Sequence, residues 1–134
     1  MQVSVKELSE QDFSVYGLIY EPEPVKTGYL PGKLAEHCTS KIVIMDLTVT
    51  DRVVSALSYH SNTWECFIPL EGVTLLYVSD KGCSDMFLLN RCVYIKENIG
   101  HSLVTLSGKS MLKVAEKKDV ILKKEKLKDE IWPL

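Results

Sequence analysis

The feature that most constrains this chain is a succession of short β-prone runs from residue 40 onward, each closed by turn residues. They cover 42–50, 53–59, 65–70, 73–78, 85–94, 102–106 and 111–115. The runs are rich in branched and aromatic side chains, which suit a pleated surface. The breaks between them are turn chemistry: Asp51 with Arg52, Glu71 with Gly72, the stretch 79–82 and the stretch 107–109. Strands at roughly 8–12-residue spacing read as a sandwich or barrel. No sustained 3.6-residue period separates them, which argues against parallel βαβ units. The fold class expected from the pattern is therefore all-β.

The flanks of this series differ from it. Residues 3–8 alternate apolar and polar, as a half-buried strand does. Ser9 is a good helix N-cap and Asp12 an acid at capping-box distance, so the spacing predicts a short helical turn reaching Tyr16 and closed by Gly17. Leu18 to Tyr20 begins another extended piece. Pro22, Pro24, Gly28, Pro31 and Gly32 mark a loop. The last stretch, 116–134, carries alternating charges and reads as a solvated helix or an extended tail. Ile131, Trp132 and Leu134 within it are candidates for a dimer contact.

Composition sets the outer limits. A chain of 134 residues fits one domain with a core of its own, and 46 % apolar residues argue against disorder. A net charge of -2 does not draw in phosphate backbones, so nucleic acid is not an expected partner. No apolar stretch approaches the roughly 18–20 residues of a membrane span, and none at the start resembles a leader. Cys38, Cys66, Cys83 and Cys92 form no C-x-x-C pair, so a structural zinc site is not expected. Cys66 and Cys92 lie in apolar runs and read as buried thiols. The expected setting is cytoplasmic, with reduced cysteines.

The chemistry-bearing residues cluster between His60 and Gly72. In an extended chain His60 and Glu65 would fall on opposite faces. Ser61, Asn62 and Thr63 supply a turn that brings the imidazole and the carboxylate together. His101 follows Asn98 and Gly100, two residues that tolerate tight turns. Two histidines and one carboxylate suit a divalent metal with open positions, or acid–base chemistry. His37, beside Glu36, is a weaker candidate, and Tyr59 and Trp64 are expected to pack the barrel or its rim.

The spacing His60-x4-Glu65-x6-Gly72 resembles the second half of the first cupin motif, and the stretch from Lys96 to His101 resembles a degenerate second one. Ser58 stands where the first motif begins with histidine. Lys96 and Asn98 replace the proline and glycine of the second. The chain is similar in particular to the ureidoglycolate lyase branch of the cupins. The similarity lies in Phe13, Tyr16, Gly17 and Ile19 near the start, in His60, Thr63, Glu65, Phe67, Pro69 and Leu70, and in the segment from Asn98 to His101. It departs from that branch at Lys96, Glu97, Gly100 and Ser102.

The resemblance implies an antiparallel β-barrel or jelly roll, commonly dimeric, that splits ureidoglycolate into glyoxylate and urea. It implies His60 or Glu65 as base and His101 as acid, with Lys96 and Asn98 as substrate-binding residues, Lys96 clamping the carboxylate. The same three residues, His60, Glu65 and His101, would hold a divalent metal. The expected partners are a small carboxylic-acid substrate and a second copy of the chain. Two other readings stand beside it: a metal-dependent cupin of different activity, and a barrel that binds a small acid or a partner without catalysis. A pocket filled by side chains would favour a purely structural role, and an open polar pocket would count against one.

Overall fold

The computed structural model describes residues 1–25, 28–30 and 41–134. His37, Cys38 and part of the predicted 21–32 loop lie outside the described residues. The chain forms β1 (Gln2–Val3), β2 (Val5–Lys6), α1 (Glu10–Phe13), β3 (Gly17–Tyr20), β4 (Glu23–Val25) and β5 (Gly28–Leu30). Then come β6 (Ile42–Val49), β7 (Val54–His60), β8 (Glu65–Glu71), β9 (Thr74–Asp80) and β10 (Cys83–Leu88). The series closes with β11 (Cys92–Ile95), β12 (Gly100–Thr105), β13 (Ser110–Lys117) and β14 (Leu122–Pro133). The class is all-β, as the run of short strands predicts.

Two sheets make the body of the fold. One has the order β1-β14-β7-β12-β9-β10-β2 and the other β3-β11-β8-β13-β6. A separate hairpin pairs β4 with β5. The first sheet is nearly closed on itself. Its two edge strands, β1 and β2, are neighbours in sequence, so residues 2–6 run from β14 on one side to β10 on the other. Val3 and Val5 thereby cover a core of Val54, Leu57, Leu75, Tyr77, Met86, Val104 and Ile131. Between the sheets lies a second core, with Leu76, Val78 and Phe87 from one sheet and Phe67, Val93, Ile95, Leu112 and Val114 from the other. Strand β9 feeds both cores because its side chains alternate: Leu75 and Tyr77 go one way, Leu76 and Val78 the other.

Local sequence accounts for most of the turns. Ser9 caps α1, its Oγ accepting from the Asp12 amide at 3.1 Å. The helix stops at Phe13 rather than Tyr16, and Gly17 opens β3 instead of closing the helix. Phe13 and Tyr16 turn inward against Phe87, with ring centroids 5.3 and 6.1 Å away. Gly72 adopts φ +77° between β8 and β9, a conformation that costs glycine little.

Four further expectations are corrected. The apolar run 85–94 is not one strand. It divides into β10 and β11, which belong to different sheets, with residues 89–91 crossing between them. The charged stretch 116–134 is not a solvated tail. Strand β13 extends through it to Lys117, and β14 pairs with β7 and β1. Ile131 is 5 % exposed and belongs to a core, so it cannot serve a dimer contact, whereas Trp132 and Leu134 are exposed. Trp64 is buried with Tyr20, Cys66 and Ala115, and Cys92 is only half-buried. No helix among the described residues is long and apolar enough to cross a membrane.

Candidate metal centre

Period-2 alternation determines which side chains enter the space between the sheets. On β7, Ser58 and His60 share one face while Leu57 and Tyr59 take the other. On β8, Glu65 and Phe67 point inward and Cys66 outward. Strand β12 brings His101 directly opposite Ser58. These side chains meet in an open cavity of about 530 Å³ with both polar and apolar walls, Met45, Leu47 and Leu103 among the apolar ones.

At its inner end His60, Glu65 and His101 converge, each less than 9 % exposed, offering ligand atoms within 4.8 Å of one another. Glu65 Oε2 lies 2.5 Å from His60 Nδ1 and 3.3 Å from His101 Nε2. Neither nitrogen approaches with hydrogen-bond geometry, so this buried oxygen has no aligned donor. The tautomer of His101 explains its side of the contact. Its Nδ1 lies 3.0 Å from the Ile99 carbonyl, which can only accept, so Nδ1 carries the proton. Nε2 then meets the carboxylate either as the second N–H of an imidazolium or as a lone pair facing a lone pair. Only a cation between them, a proton or a metal, reconciles the two. A backbone carbonyl that fixes the imidazole in this way is the usual support of a metal-ligating histidine.

The charges of the centre are coupled. Burial alone would raise the Glu65 carboxyl, but the imidazoles, His101 ahead of His60, reverse this and hold it down at about 2. Burial works against protonating His60, but Glu65 and then Glu116 outweigh it and raise the group above its ordinary value. Glu116 is pushed up, first by burial and then by the charge of Glu65.

Glu116 is the residue that the sequence reading missed. It sits at the end of β13, directly opposite Glu65 on β8, and is 8 % exposed. Its Oε2 lies 3.8 Å from His60 Nε2. The signal was present in the alternation of Leu112, Val114 and Glu116, which continues the inward face by one more residue. Lys124 was also missed. It pairs directly with Ser58 across β14 and β7 and lines the same cavity.

The structure brings together His60, Glu65 and His101 but not Lys96 or Asn98. Lys96 Nζ donates to the Ser14 carbonyl at 3.1 Å, and both residues line a different cavity, of about 490 Å³, with Tyr59 and Asp80. Asn98 has a structural task there: with φ +63° it forms the turn before β12, and its amide donates to the His60 carbonyl at 2.8 Å. Gly100 also has a local cause. A Cβ at this position would stand 2.9 Å from the Tyr59 ring, so a larger side chain has no room unless that ring moves.

In sequence, no family model and no curated protein matches the chain. In structure it is similar to the oxalate decarboxylase of Bacillus subtilis, with 18 % identity and a TM-score of 0.51, covering 81 % of this chain and 30 % of that one. It thus spans about a third of that protein. The same decarboxylase is described as having Mn(II) centres. A 3,4-ketoisomerase from Thermoanaerobacterium thermosaccharolyticum, solved with TDP, is similar at 18 % identity and a TM-score of 0.55, covering 75 % of this chain and 78 % of that one. Pumpkin seed globulin is similar at 13 % identity and a TM-score of 0.52, covering 61 % of this chain and 23 % of that one. These are cupin-fold proteins, and the chain has the cupin fold. One fold shared by a decarboxylase, an isomerase and a globulin leaves function to be argued from the site.

Proposed function

We propose that this protein is a metal-dependent cupin that binds a small carboxylic acid, with His60, Glu65 and His101 holding a divalent cation. The observation that carries the reading is Glu65 Oε2, buried without an aligned donor, with His60 Nδ1 and His101 Nε2 converging on it. Mixed nitrogen and oxygen donors suit a borderline or hard divalent ion, and Mn(II) in the oxalate decarboxylase makes manganese the first ion to test. Bound there, such an ion acts as a Lewis acid toward a carboxylate or carbonyl oxygen. The chain's own residues do the rest. Ile99 fixes the His101 ring, Phe67 and Leu103 wall the centre, and Lys124 places a positive charge in the cavity, with no ion pair among the described residues. The open, partly polar cavity speaks against a purely structural barrel. The experiment is elemental analysis of protein reconstituted with Mn²⁺ and desalted. Near-stoichiometric metal in the native chain and little in Glu65→Ala supports the proposal. Equal, low metal in both rejects it.

The finer reading is a ureidoglycolate lyase, supported by the resemblance of the run from His60 to Leu70. In that reaction a base takes the hydroxyl proton, the C–N bond breaks as the carbonyl of glyoxylate forms, and the departing urea nitrogen receives a proton. In a centre without metal Glu65 would serve as base, His101 protonated at Nε2 as acid, and Lys124, in place of the remote Lys96, would hold the carboxylate. Incubation with ureidoglycolate decides it: no glyoxylate above the spontaneous rate removes this substrate while leaving the metal reading to its own test.

A further inference from the structure

The two walls of the open cavity differ in chemistry. On one wall three side chains stand in a single row across the sheet. Lys124 on β14 is the direct neighbour of Ser58 on β7, and Ser58 is the direct neighbour of His101 on β12. Neighbouring strands lie about 4.8 Å apart, so Ser58 separates the lysine from the buried centre by one strand on either side. The Tyr59 hydroxyl donates to Glu125 at 3.0 Å on the outer face, and alternation then turns both Ser58 and Lys124 inward, where they line the cavity. Among the described residues, neither the Ser58 hydroxyl nor the Lys124 ammonium has a hydrogen bond or an ion pair. The cupin pattern carries a histidine at the position of Ser58. The smaller side chain leaves room in the row, with an idle hydroxyl and an idle cation at its border.

The other wall comes from the second sheet. Met45 and Leu47, two residues apart on β6, line the same cavity and are 40 % and 37 % exposed. Apolar surface left open inside a cavity of about 530 Å³, opposite a few polar groups, is the usual make-up of a ligand pocket. An acid polar on every side would set its donors against Met45 and Leu47 without partners, which is unfavourable. An acid of two carbons would reach neither side chain.

Resting on the proposed metal reading, we infer that Ser58 and Lys124 form the carboxylate subsite beside the centre, and that the cavity takes aliphatic monocarboxylic acids whose body lies on Met45 and Leu47. The carboxylate accepts from the Ser58 hydroxyl and pairs with the Lys124 ammonium. The alkyl body covers the exposed wall of β6. Ser58 and Lys124 are then the residues that select an acid over an alcohol, and Met45 with Leu47 those that select chain length.

The test uses the full chain loaded with Mn²⁺, with the uptake measured first. Acetate, butyrate and hexanoate are titrated, and binding is followed by the broadening that Mn²⁺ causes in their proton signals. Each added methylene should tighten binding by about two- to fourfold, as burial of a CH₂ does. Hexanol, with the same body and no charge, should bind at least about tenfold more weakly than hexanoate, as loss of a charged hydrogen-bond partner costs. Lys124→Met should weaken hexanoate by a similar factor and leave Mn²⁺ uptake unchanged. Ser58→His should fill the subsite, so that hexanoate binding is lost while Mn²⁺ is still held. Met45→Thr with Leu47→Thr, which keeps strand-forming residues, should flatten the dependence on chain length. Circular dichroism checks each fold, and Lys124, exposed on its strand, is the substitution that disturbs the fold least. Mn²⁺-loaded protein that binds none of the acids, that binds them equally, or that binds hexanoate as well in folded Lys124→Met overturns this inference and leaves the metal reading standing. Native protein that takes up no Mn²⁺ overturns the metal reading and this inference with it.

Discussion

The space between the two sheets has two ends of opposite character. At one end Phe13, Tyr16 and Phe87 stack edge to face, each no more than 1 % exposed. At the other, His60, Glu65, His101 and Glu116 gather at the bottom of an open cavity. Phe67 and its contact with the His101 ring, at 5.9 Å, join them. Phe87 comes from β10, and Phe13 and Tyr16 from α1 and the turn after it, while β7, β8, β12 and β13 supply the polar residues. What differs is whether the inward residue finds its partner inside the chain. The aromatic end is satisfied by packing and supplies stability. The polar end buries two carboxylates beside two imidazoles, a cluster that costs stability unless a cation completes it.

The largest effect that would break this contrast is at the packed end. Phe87→Ala should cost about 3–5 kcal/mol in urea unfolding, as truncation of a buried aromatic does, while leaving Mn²⁺ affinity within about twofold where the protein is still folded. A loss of metal binding there would mean that the two ends are one cooperative unit. Next comes Gly100, whose missing side chain makes room for Tyr59. Gly100→Ala should destabilise by about 1–3 kcal/mol, as overpacking does, and by clearly less in a Tyr59→Ala background. Additive effects in that double-mutant cycle would dissociate the two residues.

A smaller effect comes from pH in the metal-free protein. The Glu65 carboxyl is held at about 2, below its unfolded value, so its contribution is present above the ordinary carboxylate range and is lost as pH falls toward 2. His60 is raised, so its contribution is present below its unfolded value and is lost as pH climbs through the raised one. Thermal melts in EDTA should therefore fall at both extremes, and Glu65→Gln should flatten both arms. The smallest effect belongs to Lys96→Ala, at a residue outside the centre. It should change stability by no more than about 0.5 kcal/mol and leave Mn²⁺ affinity unchanged. A drop in affinity would place Lys96 in the site after all.

The strand pattern and three members of the centre were legible because their signals are local. The branched residues of 42–50 and the alternation of 111–115 mark strands, and the His60-to-Gly72 spacing survives the loss of its leading histidine. Strand β14 was not legible, because its residues from Leu122 to Lys126 are exposed and its order comes from backbone pairing with β7. Lysines on such a strand also discourage pairing with other chains, which makes it look like a solvated segment. Lys96 and Asn98 misled for a related reason. Nearness in sequence to His101 put them beside it, but the strand direction leaves them on the outer side of the turn, where Lys96 meets Ser14.

The central claim is that the cavity end is completed by a cation, and the measurement that reaches it most directly is the melting temperature of EDTA-stripped protein titrated with Mn²⁺. Ligand that binds only the folded state stabilises it by about 2.7 kcal/mol at a hundredfold excess over Kd. The account predicts a saturable rise in melting temperature in the native chain and none in Glu65→Ala. A native melting temperature indifferent to Mn²⁺ and to the other divalent transition metals, or an equal rise in Glu65→Ala, would contradict it.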